Sequence, residues 1–559
     1  MAWHSFFSEG LSRVESVVVI LILLVAVIIS GAISRALPLP IPLPLIQIAV
    51  GAVVSLAGDM GVKLRPEMFF LLFLPPLLFL DGWRIPKDGL KRDRWTVLEM
   101  ALGLVVFTVL GVGFFTYWMI PAMPLSVAFA LAAIVSPTDP VAVTAIAKRS
   151  PIPKRLMHIL EGESLLNDAS GLVSMRFAVA AAMTGSFSLI AAFGTFLWTA
   201  VAGLIIGAAT TFCVTWVSNF WNNKFGEETG SHILISLLIP FAAYLAAEQV
   251  DASGILAAVA AGISMSFTED SLRNLALTRI RRLAVWDTVQ FVANGVIFVI
   301  LGEQLPHIVS GAAIVVQETG HHEPVWLVAY VILINLALAV LRFIWVWVSL
   351  RFTLARAYRR GFKPFVPSWR LVAVTSLAGV RGTVTLAGVL TLPLFLPDGS
   401  PFPARDLAIF LATGVILISL VMASVSLPFL LKGLELPPEP SHQKEEERAH
   451  IAAAEAAIKA VEQAVHNWGE GRSDADLYTS AGARVMANYR DRLADQNISD
   501  ADAVNTHKIA EIERRLRLEA LKAERQTYFA FGRRHQLSEE TTAKLIREVD
   551  LLETRFSNG

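Results

Sequence analysis

The sequence predicts an all-α polytopic membrane protein of about thirteen transmembrane helices, with inverted-topology repeats and two interrupted helices, followed by a C-terminal cytosolic helical domain. Three observations lead there. Apolar runs of about 20 residues, the length that a hydrocarbon core of about 30 Å asks of a helix, recur from Val17 to Leu431. Basic residues cluster in alternate loops between those runs. A polar segment follows Leu436. The bulk numbers agree: 55% of the 559 residues are hydrophobic, 17% are charged and the mean hydropathy is +0.58, whereas a soluble chain is about a quarter charged. A formal net charge of zero implies no nucleic-acid partner.

The spans fall near 16–36, 41–58, 67–83, 96–120, 125–147, 156–182, 190–218, 231–249, 252–268, 284–305, 324–350, 370–396 and 406–432. They are helices because an isolated strand cannot satisfy its backbone groups in lipid. Pro38-Leu39-Pro40-Ile41-Pro42 separates the first from the second. Pro75-Pro76 lies inside the third, where the freed carbonyls need a neighbouring helix or water. The first apolar run has no clear small-residue cleavage site and more spans follow it, so it reads as a span rather than a leader.

Orientation follows from the loops. Arg84, Lys87, Lys91, Arg92 and Arg94 follow the third span, and Lys148, Arg149, Lys154 and Arg155 the fifth. Arg273, Arg279, Arg281 and Arg282 follow the ninth, and Arg351, Arg356, Arg359, Arg360 and Lys363 the eleventh. All four loops come after odd-numbered spans, which puts the N-terminus outside and the C-terminus in the cytoplasm of a cell (inner) membrane. The membrane part is then 1–435 and the cytosolic tail 436–559. Pro437-Pro438-Glu439-Pro440 is a stiff linker, and the tail beyond it reads as three or four helices. Ile509, Ile512, Leu516, Leu518 and Leu521 give part of an apolar face there. The single cysteine, Cys213, excludes an internal disulfide and a cysteine metal site, and reads as packing.

Ionisable residues deep in a transmembrane helix are costly and therefore point to function. The fifth span contains Ser136-Pro137-Thr138-Asp139-Pro140. Entering from outside near Leu125, it carries Asp139 about 21 Å deep. Two prolines in four residues cannot continue a regular helix, so the chain should unwind there and expose carbonyls. The sixth span contains Glu163-Ser164-Leu165-Leu166-Asn167-Asp168. It enters from inside near Leu156, so Asp168 lies about 18 Å deep, on one face with Ser164. The twelfth contains Gly379-Val380-Arg381-Gly382, which places Arg381 about 15 Å deep between two glycines.

If spans 1–6 and 8–13 are repeats and the seventh is a linker, the interrupted fifth and twelfth correspond. Their six-helix units then start on opposite sides of the membrane. In such inverted repeats the broken helices meet at the midplane and build the ion site. Asp139, Asp168, Ser164 and the Thr138 carbonyl are hard oxygen ligands suited to a small cation, with no His or Cys cluster for a transition metal. A buried aspartate there can hold a proton or a sodium ion, and their competition couples two fluxes. Glu163 is placed to neutralise Arg381, since neither charge should stand alone at that depth. Glu99, Asp287, Glu303, Arg176 and Arg342 read as lying nearer span ends, where side chains reach the interface. Asp81 reads as facing a cytosolic vestibule or capping the third helix, His158 as interfacial, and Trp95, Trp118 and Trp326 as interface anchors.

Four segments in order carry a resemblance: Ser136-Pro137-Thr138-Asp139-Pro140, Gly162-Glu163-Ser164-Leu165-Leu166-Asn167-Asp168, Phe291-Val292-Ala293-Asn294-Gly295-Val296-Ile297-Phe298, and Gly379-Val380-Arg381-Gly382. With them the sequence resembles the monovalent cation:proton antiporter family in its bacterial sodium/proton exchanger form. Glu548-Val549-Asp550-Leu551-Leu552-Glu553 looks like the end of that form. The resemblance implies thirteen helices, a homodimer, and an elevator-like motion of a core domain against a dimerisation domain. It implies that Asp168 is the ion and proton carrier, that Asp139, Ser164 and Thr138 help to coordinate the ion, and that Glu163 and Arg381 form a stabilising pair. Asn167-Asp168 matches the electroneutral branch, since the electrogenic branch carries Asp-Asp there. The expected activity is exchange of sodium, or lithium or potassium, for protons, serving pH and sodium homeostasis. The expected partners are monovalent cations, protons, the lipid bilayer and a second copy of the chain, and no cofactor is implied. A potassium/proton antiporter of the same fold is the nearest alternative. An intramembrane aspartyl protease normally shows Gly-X-Gly-Asp, a context that neither Asp139 nor Asp168 has. A cation channel needs a ring-forming filter, and none is visible. The reading is therefore a transporter and not an enzyme.

Overall fold

A computed structural model of the chain describes residues 2–37, 41–57, 66–85, 95–139, 143–144, 152, 154–185, 189–226, 228–271, 276–318, 325–359, 368–432, 442–470, 475–496, 500–534, 541, 545–546 and 548–553. Each predicted span falls on helix among them: α1 (Ala2–Ala36), α2 (Leu43–Ala57), α3 (Pro66–Arg84), α4 (Trp95–Met119), α5 (Leu125–Val135), α6 (Lys154–Thr184), α7 (Leu189–Phe225), α8 (Thr229–Glu248), α9 (Gly254–Ser271), α10 (Ala276–Glu318), α11 (Val325–Arg359), α12 (Trp369–Leu377), α13 (Thr383–Leu390) and α14 (Arg405–Leu431). Seven described helices are long and apolar enough to cross a membrane, and three shorter ones, at Leu43–Leu56, Leu125–Val135 and Gly254–Thr268, are apolar too. The basic residues Lys87, Lys91, Arg92, Arg94, Lys148, Arg149, Arg273, Arg360 and Lys363, with Pro140 and the 437–440 linker, lie outside the described residues.

Contacts divide the chain into two compact units, Met1–Leu436 and Pro437–Gly559. In the second, α15 (His442–Gly469), α16 (Ala475–Gln496) and α17 (Asp500–Arg533) are helical. The apolar face predicted there is only partly covered: Leu521 is buried, whereas Ile512 and Leu516 are exposed.

The first unit shows its repeat in its packing. Let α1–α6 correspond to α8 through α14, with α12 and α13 together matching α5 and with α7 left over. Then α3 against α9 and α2 against α10 are one contact seen twice, and so are α1 against α10 and α8 against α3. The contacts of α4 with α5 and of α5 with α6 recur as α11 with α12 and as α12 and α13 with α14. Close approach at the twinned crossings depends on glycine. A Cβ on Gly51 of α2 would lie 2.0 Å from the Val299 carbonyl oxygen of α10, and one on Gly302 would lie 2.0 Å from that of Ile48. Gly82 and Gly262 do the same between α3 and α9.

Two bundles result. One holds α1–α3 and α7–α10, with clusters around Phe79, Trp83, Ile239 and Trp286 and around Leu23, Val27, Val296 and Val299. The other holds α4–α6 and α11–α14, and its core runs through Leu131, Leu165, Leu386 and Val415. Three sequence expectations are corrected. The twelfth span stops at Leu390 rather than 396, because Pro393 cannot continue the helix and the chain turns there. Arg342 and Glu303 are buried rather than near helix ends, because α11 and α10 run on to Arg359 and Glu318. Cys213 is exposed on α7 rather than packed inside.

Candidate transport site

The two interrupted helices meet as the prolines and glycines anticipate. α5 ends at Val135 and residues 136–139 are irregular, while α12 ends at Leu377 and α13 starts at Thr383. The Asp139 N–H donates to the Val380 carbonyl at 2.7 Å, and the Thr383 N–H donates to Asp139 Oδ2 at 3.3 Å. The carboxylate thus sits at the N-terminus of α13, where orphan N–H groups favour negative charge. Gly382 makes room for it, since a Cβ there would lie 1.8 Å from Asp139 Oδ2.

The buried charges are sorted differently from the sequence expectation. Glu163 is paired with Arg342 of α11, not with Arg381: Arg342 Nη1 and Nη2 donate to the two carboxylate oxygens at 2.5 and 2.7 Å, with both side chains almost fully buried. Arg342 Nε donates to the Thr375 carbonyl at 3.2 Å. Arg381 instead caps the broken ends, with Nε donating to the Val135 carbonyl at 3.0 Å and Nη1 to that of Gly379. The physical reason is that α5 and α12 both finish here with carbonyls that no later turn satisfies, and a guanidinium supplies the donors and the positive charge they favour. The pairing left for Glu163 is bidentate, the strong form.

Thr138 links the break to α6. Its hydroxyl donates to Glu163 Oε1 at 3.3 Å and accepts from Asn167 Nδ2 at 3.0 Å. Asn167 therefore faces the protein, and the next residue, Asp168, faces a small cavity of about 30 Å³ that is partly open to solvent. Its walls come from both bundles: Asp139, Ser164, Asp168 and Thr383 from one, Leu74, Leu78, Asp81, Gln290 and Asn294 from the other. Asp168 and Ser164 are buried on the same face of α6. Among the described residues the Asp168 carboxylate makes no hydrogen bond and no ion pair. Asp81 is more than a helix cap, because it lines the same cavity. Arg84, one turn on, donates to Gln290 Oε1 at 2.9 Å and pairs with Asp287.

The structure thus brings Asp139, Asp168, Ser164, Thr138, Asn167 and Glu163 together and places Arg381 at the crossing behind them. Sequence reasoning missed Gln290 and the pairing of Arg342, and left Asp81 between a vestibule wall and a helix cap. Arg342 carried a usable signal, as a lone arginine in an otherwise apolar run.

Broken helices crossing between two repeats, a buried carboxylate and a cavity between two bundles define a secondary cation transporter. The family model described as "Sodium/hydrogen exchanger, transmembrane" matches residues 20–433, and the chain belongs to that family. It is 40% identical over 552 residues to a protein of Escherichia coli (strain K12) named the uncharacterized Na(+)/H(+) exchanger YjcE, covering 97% of this chain and 98% of that one. It is 37% identical over 546 residues to the "Sodium, potassium, lithium and rubidium/H(+) antiporter" of Bacillus subtilis (strain 168), covering 97% and 78%. The fold matches the sodium proton antiporter MjNhaP1 of Methanocaldococcus jannaschii at a TM-score of 0.57 and 18% identity, over 75% of this chain and 99% of that one.

Proposed function

We propose that the protein is a secondary active antiporter exchanging sodium ions for protons, with Asp168 as the carrier. The observation that supports this most is the sorting of charges. Arg342 is spent on Glu163 and Arg381 on backbone carbonyls, so no fixed cation among the described residues balances Asp168. A buried carboxylate must be neutralised, and here only mobile species are left to do it: a proton, or a cation from the cavity. The two exclude one another, which is the coupling. Ser164 and Asp139 supply further oxygens from the same wall, and Thr138, whose hydroxyl is bonded to Glu163 and Asn167, stands beside them at the break with its carbonyl as a further ligand in this reading. The bundle holding these residues moves as a body against the other, carrying the ion across while the second bundle serves as scaffold and homodimer interface. The N-terminus lies outside and the 436–559 tail in the cytoplasm, as the basic loops indicate.

The test is sodium-driven proton movement in proteoliposomes, read with a pH dye inside the vesicle. The apparent Michaelis constant for sodium should rise as pH falls, since protons compete for Asp168. A constant that does not move with pH would remove the competition from the mechanism. Lithium, potassium and rubidium belong in the same assay, because the Bacillus subtilis relative is named for all of them.

A further inference from the structure

We propose that Ser170 is a positioning residue of the transport site, and that a π-helical turn in α4 serves to present a backbone carbonyl to it. This rests on the reading of Asp168 as carrier. Residues Glu99–Leu104 of α4 form a π-helix between regular helical turns. Such turns widen the helix, weaken its own hydrogen-bond ladder and gather at functional sites. None of the residues lining the Asp168 cavity comes from α4. What it offers is the Ala101 carbonyl oxygen, buried, which accepts from Ser170 Oγ at 2.6 Å. Ser170 is itself buried and stands two residues after Asp168 on α6.

The turn of α6 that bears the carrier is held on three sides. Asn167 Nδ2 is bonded to Thr138 at the break in the fifth span. Gly171 packs so closely on Pro137 that a Cβ there would lie 2.3 Å from the proline Cγ. Ser170 ties the turn to α4. Asp168, between them in sequence, is left facing the cavity. A carboxylate that must pass a sodium ion to a ligand set gains from a backbone that cannot drift, because ion affinity depends on oxygen positions to fractions of an Å.

Release of the bond to α4 leaves no polar group of α6 unsatisfied, its cost falling on the buried Ala101 carbonyl of α4. The same hydroxyl lies 3.0 Å from the Leu166 carbonyl and 3.1 Å from that of Asn167, and one hydroxyl hydrogen serves one acceptor at its best geometry. Rotation of Ser170 therefore exchanges an interhelical bond for one within α6, adjacent to the carrier, with no polar group of its own left unsatisfied. That is the property wanted of a contact that sets the site in one state and relaxes in another.

The experiment compares Ser170→Ala, Ser170→Thr and Asp168→Asn in proteoliposomes, with melting temperatures measured in detergent. Ser170→Ala is expected to raise the apparent Michaelis constant for sodium about three- to tenfold and to displace the pH profile, with the maximal rate within about twofold of the parent. Ser170→Thr, which keeps the hydroxyl, should restore most of the affinity. Where the extra methyl lowers the melting temperature, Ser170→Cys, a weaker donor of similar size, should give an intermediate constant. A parent-like constant and pH profile in Ser170→Ala overturns the proposal. So does a lowered melting temperature with unchanged affinity, which marks a purely structural serine. Failure of the carrier reading shows separately, as transport by Asp168→Asn.

Discussion

Two faces of α6 place an acidic residue in opposite surroundings. On one, Glu163 is locked by two hydrogen bonds to Arg342 and a third from Thr138. On the other, five residues on, Asp168 meets a cavity and no protein cation among the described residues. Both side chains are buried carboxylates on the same helix. The difference is the partner: a permanent counter-charge makes a carboxylate structural, whereas a missing one leaves it to whatever ion the cavity supplies. Breaking this contrast should therefore produce opposite phenotypes on the two faces.

The largest effect is expected on the open face. Asp168→Asn should abolish sodium-driven proton movement and leave the melting temperature near the parent's, because an amide neither binds a proton nor balances a cation. Measurable exchange by this variant would sink the assignment. On the locked face the order reverses, with stability lost first. Arg342→Ala leaves Glu163 buried and uncompensated, at a cost of about 3–5 kcal/mol. Glu163→Gln should fall alongside it, and the double variant Glu163→Gln with Arg342→Met should recover part of the loss. Thermal melts of all three in detergent check this, and additive losses in the double variant would show that the two are not a pair.

How far this contrast could be read beforehand differs residue by residue. Asp139 and Asp168 were legible because an aspartate amid apolar residues is anomalous, and Pro137, Pro140, Gly379 and Gly382 marked the breaks that bring them to one depth. The partner of Glu163 was not legible. Arg381 and Arg342 are both intramembrane arginines, and choosing between them needs the crossing of the broken helices, where the Val135 carbonyl claims Arg381. Arg342 also looked like an end residue only because α11 continues as helix to Arg359, beyond the apolar run that set the predicted boundary. Asp81 was placed on the correct helix, yet its presence in the carrier's cavity depends on how the two bundles meet, which no periodicity encodes.

A smaller effect is expected at Arg381. It caps carbonyls rather than a carboxylate, so Arg381→Ala forfeits hydrogen bonds at about 1–3 kcal/mol each without stranding a buried charge of opposite sign. Arg381→Lys keeps the positive charge and should recover part of that. Melting temperatures for Arg381→Ala should therefore lie between the parent's and those of Arg342→Ala, and a larger loss at Arg381 would restore the pairing first expected from the sequence.

The smallest effect is expected to be none: the membrane potential should not change as exchange proceeds. Charges balance over the cycle. Glu163 and Arg342 cancel and stay ionised, and Arg381 stays charged on its carbonyls. Asn167 adds no titrating group beside the carrier. With Asp168 as the proposed carrier of either one proton or one sodium ion, each turnover should move one positive charge in each direction. Two residues could upset the balance, Asp81 and Asp139, because three carboxylates on one cavity resist joint ionisation unless a cation lies between them. Asp139 Oδ2, however, accepts from the Thr383 N–H at the start of α13, a fixed contact that suits a ligand rather than a second carrier. Asp139→Asn should then weaken sodium binding without altering the one-to-one ratio. Voltage-sensitive dye in reconstituted vesicles reads this directly: a potential that builds with turnover, or a rate that rises when valinomycin and potassium clamp the voltage, means that Asp139 or Asp81 also carries a proton and that two protons move for each sodium ion.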